Sequence, residues 1–158
     1  MSKGDIASGD SVAFALIRRD HEEVRDRLAE AATAHDPEQR ERMLEALDET
    51  VGNHLDLEER VLYPALGRID AVGSFVERMR EQHGHIREAL EGLRAVRDDT
   101  TAYSRELGVL EARLREHFDD TEQRLFGYAR RYLAGDLEML AVEMESVRNA
   151  ERGAFGVG

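Results

Sequence analysis

One arrangement of residues occurs twice in this chain and constrains its fold more than any other feature. His21-Glu22-Glu23-Val24-Arg25-Asp26-Arg27-Leu28 lines up with His83-Gly84-His85-Ile86-Arg87-Glu88-Ala89-Leu90 on the frame His-x-x-aliphatic-Arg-x-x-Leu. Further along, His54 leads to Glu59 and Leu62-Tyr63, while His117 leads to Glu122 and Leu125-Phe126. The first pair of histidines is 62 residues apart and the second 63, so one inserted residue separates the two registers. Such a repeat implies two helical hairpins related by a pseudo-two-fold axis. Each of the four helices then brings one histidine to an equivalent place.

The apolar spacing agrees with four long helices. Asp10 or Ser11 caps a first helix to about Thr33, with Val12, Leu16, Ile17, Val24 and Leu28 on one face. Asp36-Pro37 reads as a cap plus first helical residue. The second helix runs from there to about Ile69 through Leu44, Leu47, Val51, Leu55 and Leu62, with a kink expected at Pro64. Ser74 and Glu77 form a capping-box pattern for a third helix to about Arg97, which buries Val76, Met79, Ile86 and Leu90. After a break at Asp98–Thr101, a fourth helix carries Leu107, Leu110, Leu114, Phe118 and Leu125 and stops at Gly135. Asp136 caps a shorter fifth helix, and 153–158 reads as a loose tail. The expected fold class is all-α: an up-down-up-down four-helix bundle with a short C-terminal helix. It forms one domain over 1–158, with its core at about 10–134 and the last helix at about 136–152.

Every repeat histidine lies on the face that its helix turns to the core. His21 falls between Ile17 and Val24, His54 follows Leu47 and Val51, His83 lies between Met79 and Ile86, and His117 follows Leu110 and Leu114. A single histidine on an apolar face is ordinarily a satisfied core residue. Four at repeat-related positions in one small core cost free energy unless each finds a partner, and a shared metal site supplies those partners. His35 falls in a loop and His85 on the other side of its helix from His83, so both read as surface residues.

Carboxylates accompany two of the four histidines. Glu58 lies one turn after His54 with Glu59 beside it; Glu122 lies five residues after His117, whose one-turn position is Thr121. Histidines and carboxylates from facing helices suit iron better than structural zinc, which favours fewer ligands in closed tetrahedra. The chain has no cysteine, which removes disulfides, thiolate metal sites and cysteine nucleophiles. A net charge of −12 repels phosphate backbones, so nucleic acid is not an expected partner. No apolar run reaches the roughly 20 residues of a membrane span. The first ten residues carry no apolar signal core, and the expected location is cytoplasmic.

The order His21, His54 with Glu58-Glu59, His83, His117 with Glu122 resembles the hemerythrin-like, or HHE cation-binding, family over roughly Val12 to Leu133. The resemblance implies a di-iron centre bridged by oxo or hydroxo and two carboxylates. Carried over by position, His21, His54, His83 and His117 are iron ligands, and Glu58 and Glu122 the bridges. Glu59 competes with Glu58: the internal repeat aligns Glu59 with Glu122, whereas ideal helix spacing favours Glu58, and our reading takes Glu58. Oxygen-carrying members have a fifth histidine where this chain has Arg87. The chain therefore resembles the four-histidine members, and the implied partners are small molecules: oxygen, peroxide or nitric oxide. Three functions follow as expectations: a di-iron sensor or peroxide- or nitric-oxide-handling protein, a passive iron or oxygen store, and a helical interaction module with structural histidines. The arginine is expected at the bundle surface, paired with an acid.

Overall fold

The computed structural model describes residues 9–156, and no strand occurs among them. The first helix, α1, spans Gly9–Ala32. The second, α2, spans 37–67: it is α-helical over Pro37–Leu57, passes through a π turn at Glu58–Leu62, and ends with Tyr63–Gly67. A 3₁₀ turn, Asp70–Val72, leads into α3, Gly73–Ala95. Helix α4 spans 100–132, α-helical over Thr100–Asp120, with a second π turn at Thr121–Leu125 and a last segment Phe126–Tyr132. After a 3₁₀ turn at Ala134–Asp136, α5 spans Leu137–Gly156.

Short connections bring α1 against α2 and α3 against α4 as hairpins, and α5 packs along α1 and α2. Two of the caps are acidic side chains. Asp36 Oδ1 accepts the backbone N–H of Gln39 at 2.8 Å with Pro37 behind it, and Asp99 Oδ1 accepts that of Ala102 at 3.1 Å.

Several details differ from the sequence reading. Helix α1 begins at Gly9, ahead of the expected caps Asp10 and Ser11. Val12 is largely exposed, and its neighbours Ala13 and Phe14 fill the core instead. Ser74 does not cap α3, because the helix leaves the 3₁₀ turn at Gly73 with Val72 in the cap position, two residues before Ser74. Asp136 lies within a 3₁₀ turn ahead of α5, and α5 continues through Gly153 to Gly156 where a loose tail was expected. In α2 the irregularity falls in the π turn before Pro64, closed by the N–H of Tyr63 on the carbonyl of Glu58. Proline is not its general cause. The repeat-related turn in α4 is closed the same way, by Phe126 on Thr121, and has Gly127 at the proline position.

The core divides into two apolar layers. One gathers Phe14, Ile17, Tyr63, Met79, Leu125 and Phe126; the other gathers Val24, Leu47, Leu55, Ile86, Leu110 and Phe118. Between them lies a polar layer.

Candidate metal centre

The polar layer is made of the repeat histidines. His21, His54, His83 and His117 are all buried, as are Asp20, Glu58 and Thr121. Each histidine is flanked along its helix by residues of both apolar layers, as His21 is by Ile17 and Val24, so the four rings fall at one level of the bundle.

Five of the six predicted site residues converge. His21, His54 and Glu58 form one group of ligand atoms and Glu58, His83 and His117 another, with the atoms of each group within 4.8 Å of one another. Glu58 belongs to both. Its Oε1 lies 2.9 Å from His83 Nε2 and 2.9 Å from His117 Nε2, and its Oε2 lies 3.4 Å from His54 Nε2. One carboxylate thus offers one oxygen to each group. The sixth predicted residue, Glu122, joins neither. It is partly exposed and sits behind His21, with Oε2 2.6 Å from the outer ring nitrogen, Nδ1. Glu59 occupies the matching place behind His83, 2.6 Å from Nδ1, where Arg87 also reaches it at 3.0 Å.

The π turns explain this division. Each begins one turn after a histidine and adds a residue to the helical repeat. Position 58 and its mate 121 point inward, while 59 and 122 point to the outer edge of the facing histidine. The repeat therefore aligns Glu58 with Thr121, and Glu59 with Glu122. Thr121 is buried, and its hydroxyl donates to the carbonyl of His117 at 2.9 Å. The second half of the repeat thus contributes no inward carboxylate.

Outer partners fix how the rings present themselves. His54 Nδ1 lies 2.9 Å from Asp20 Oδ2, and His117 Nδ1 lies 2.8 Å from Gln82 Oε1. Together with Glu122 and Glu59, every Nδ1 faces an oxygen that can only accept, so every Nδ1 carries hydrogen and every neutral ring turns a bare Nε2 inward. With all four rings neutral, four lone pairs and a carboxylate meet in this buried space. His83 Nε2 and His117 Nε2 are 3.2 Å apart, acceptor against acceptor. His21 Nε2 is buried with no hydrogen-bond partner, and His54 Nε2 and Glu58 Oε2 meet only each other, at 3.4 Å. Each such orphan costs about 1–3 kcal/mol, and cations between these atoms remove that cost. The residues present therefore fit a metal.

Without metal, the cluster gathers protons unequally. Burial works against a charged His54, yet the Glu58 charge and the hydrogen bonds to Asp20 and Glu58 outweigh it and raise its pKa to about 9. Burial pushes His21 down to about 2, and it lowers His117 as well. Glu58 is pulled up by burial but held well below the carboxylate range by His54 and His117.

The family model of the hemerythrin HHE cation-binding domain matches residues 12–129. The chain belongs to this family. Searches among curated proteins and among solved structures returned no match. The HHE match ends before α5, so that helix lies outside the matched domain. Within the domain, His35 and His85 are exposed, and Arg87 is half-exposed and paired with Glu59, as expected. No helix among the described residues is long and apolar enough to cross a membrane.

Sequence reasoning missed four residues of this HHE site. Asp20 and Gln82 are repeat mates, each directly before a histidine, and each serves the histidine of the neighbouring helix. Extending the repeat frame by one residue would have found both. Tyr63 donates to Glu58 Oε1 at 3.1 Å and lies 3.0 Å from His83 Nε2; its repeat mate is Phe126, so the phenol serves one group only. Burial, then the Glu58 charge, keeps that phenol protonated. Phe118 stacks on His21 with ring centroids 3.8 Å apart and closes that side of the cluster.

Proposed function

We propose that this protein holds two iron ions, one in each group, with Glu58 between them, and that it reacts with oxygen species such as oxygen, peroxide or nitric oxide as a sensor or a detoxifying protein. The observation that carries the reading is the ligand set of each group: two histidines and one carboxylate oxygen. That set leaves open positions and is typical of non-haem iron sites that engage oxygen. Iron supplies one-electron and oxygen chemistry when bound there.

The chain's own residues set the conditions. Asp20, Glu59, Gln82 and Glu122 orient the imidazoles from outside. Tyr63 gives Glu58 a hydrogen bond on the His83 side, where a proton is within reach of anything bound near Oε1. Thr121 leaves the side opposite Glu58 without a second carboxylate, so each group is open to an outside ligand. Arg87 stands where an oxygen carrier has its fifth histidine; it has no lone pair and is tied to Glu59, so neither iron is closed by a third histidine. Two three-ligand groups suit a reactive centre better than a store, which needs capacity for many ions.

The experiment is to load the protein with ferrous iron without air, admit oxygen, and then remove the gas. Oxidation without recovery of the ferrous spectrum, and consumption of added peroxide, are expected. Full recovery over repeated cycles would show a reversible carrier and overturn the reading.

A further inference from the structure

The two outer partners that precede the histidines, Asp20 and Gln82, are themselves held in different ways. Gln82 receives its support from within the repeat: its Nε2 donates to Asp120 Oδ2 on α4 at 2.7 Å. The repeat mate of Asp120 is Leu57, which offers Asp20 nothing. Asp20 is instead gripped by Arg148 of α5. Two parallel hydrogen bonds run from Arg148 Nη1 to Oδ1 and from Nη2 to Oδ2, both 2.7 Å. Leu57, Asp20 and Arg148 line one groove between α1, α2 and α5. The fork fixes the plane of the carboxylate, and with it the direction in which Oδ2 meets His54 Nδ1.

We propose that Arg148 is a positioning residue of the metal centre: α5, outside the matched domain, completes the outer shell of His54 by supplying the support for Asp20 that the repeat lacks at Leu57. The inference rests on the metal reading of the His21–His54–Glu58 group. Its chemistry is that of an outer-shell clamp. His54 binds an ion through Nε2 with a strength set by how well Nδ1–H is held, and losing such an outer partner typically costs tenfold or more in metal affinity. Asp20 is buried, so without Arg148 its carboxylate has, among the described residues, no cation in contact except His54 itself. Two other acids act on Arg148: Glu151, 3.4 Å from its Nε, and Glu23. Neither touches His54, so the path from α5 to the site runs through Asp20.

The test measures ferrous iron release to a chelator in the full chain. Arg148→Met should release iron about tenfold faster or bind it about tenfold more weakly, Arg148→Lys should recover part of that loss, and Arg152→Met, on the same helix, should change nothing. The deciding arm repeats Arg148→Met in an Asp20→Asn background, where the fork has only one oxygen to hold. There the effect should shrink below about twofold, since coupled residues act as a unit. An equal loss in both backgrounds, or a lowered melting temperature with unchanged iron release, would show that Arg148 merely fastens α5 and would overturn the proposal. Nitrogen NMR of the metal-free protein reads the clamp by itself: the His54 Nδ1–H signal should be protected in wild type and in Arg152→Met, and lost in Arg148→Met. A wild type that takes up no metal would defeat the reading of the site. The NMR arm would still decide whether Arg148 orients His54.

Discussion

Glu58→Gln separates the residue shared by both groups from the acids behind the rings. Glu58 places one oxygen toward His83 and His117 and the other toward His54. Glutamine keeps the shape and one oxygen, but its NH₂ has no lone pair to give a metal. One group keeps three protein ligands and the other falls to two histidines. The variant should therefore hold about one ion per chain. An ion present at about a thousand times its dissociation constant stabilises the fold by about 4 kcal/mol. In a chain of this size each kcal/mol moves the melting temperature by about 2–4 °C. Loss of one ion thus lowers the melting temperature of the loaded protein by about 8–16 °C. Glu59→Gln and Glu122→Gln act differently, because an amide oxygen can still accept the Nδ1–H of His83 or His21. Each should keep both ions with affinity reduced about tenfold, or about 1.4 kcal/mol. The assay is elemental analysis of metal-loaded variants together with melting curves in excess ferrous iron, with each metal-free variant as its own reference. Two ions retained by Glu58→Gln, or a larger loss from Glu59→Gln or Glu122→Gln, would refute the placement of Glu58 between the groups.

Two further outcomes can be checked on the same material. The metal-free protein should be most stable near pH 6.5. Its His21 falls from an ordinary 6.5 to about 2, so stability is lost as pH drops below 6.5, and Asp20, lowered to about 2 by Arg148 and His54 against the pull of burial, adds to that loss below 3.8. His54 is raised from 6.5 to about 9, so its contribution is whole below 6.5 and is lost as pH rises through 9. Melting curves across that range should show both limbs, the alkaline one vanishing in His54→Gln; a flat profile between pH 6.5 and 9 would contradict the protonated His54. Asp36→Ala, far in sequence from the four buried histidines, removes the cap of α2 and should cost about 1 kcal/mol, or about 2–4 °C, while leaving metal content unchanged.

The fold was legible because its signals are local. Apolar residues three and four apart, the Asp36-Pro37 cap and the His-x-x-aliphatic-Arg-x-x-Leu repeat each speak for their own segment, and together they give the helices and bring His21, His54, His83 and His117 to one level. The carboxylates were legible only in part. A π turn is not marked by any residue type here, and it changes which of two adjacent positions faces inward. Within α2, ideal spacing pointed to Glu58, and Glu58 is the one of the pair that faces inward. The same repeat register that puts Glu59 on the outside also puts Glu122 there and leaves Thr121 facing in, so the carboxylate expected as a second bridge lies behind His21, against its Nδ1. The outer partners were harder still. Asp20 lies one residue from a histidine in sequence, yet it serves His54, which is 34 residues away, and Arg148 acts across 128. Pairings that distant depend on how helices pack, which helix periodicity does not encode.

The central claim is that two metal ions share Glu58, and Mössbauer spectroscopy of ferric protein loaded with isotopically enriched iron tests it most directly. Two iron ions held on either side of one carboxylate are close enough to couple magnetically. The predicted result, at about two iron per chain, is a quadrupole doublet without magnetic splitting at low temperature in a weak field. A magnetically split spectrum of isolated ferric ions, or iron that never exceeds one per chain, would contradict the shared centre.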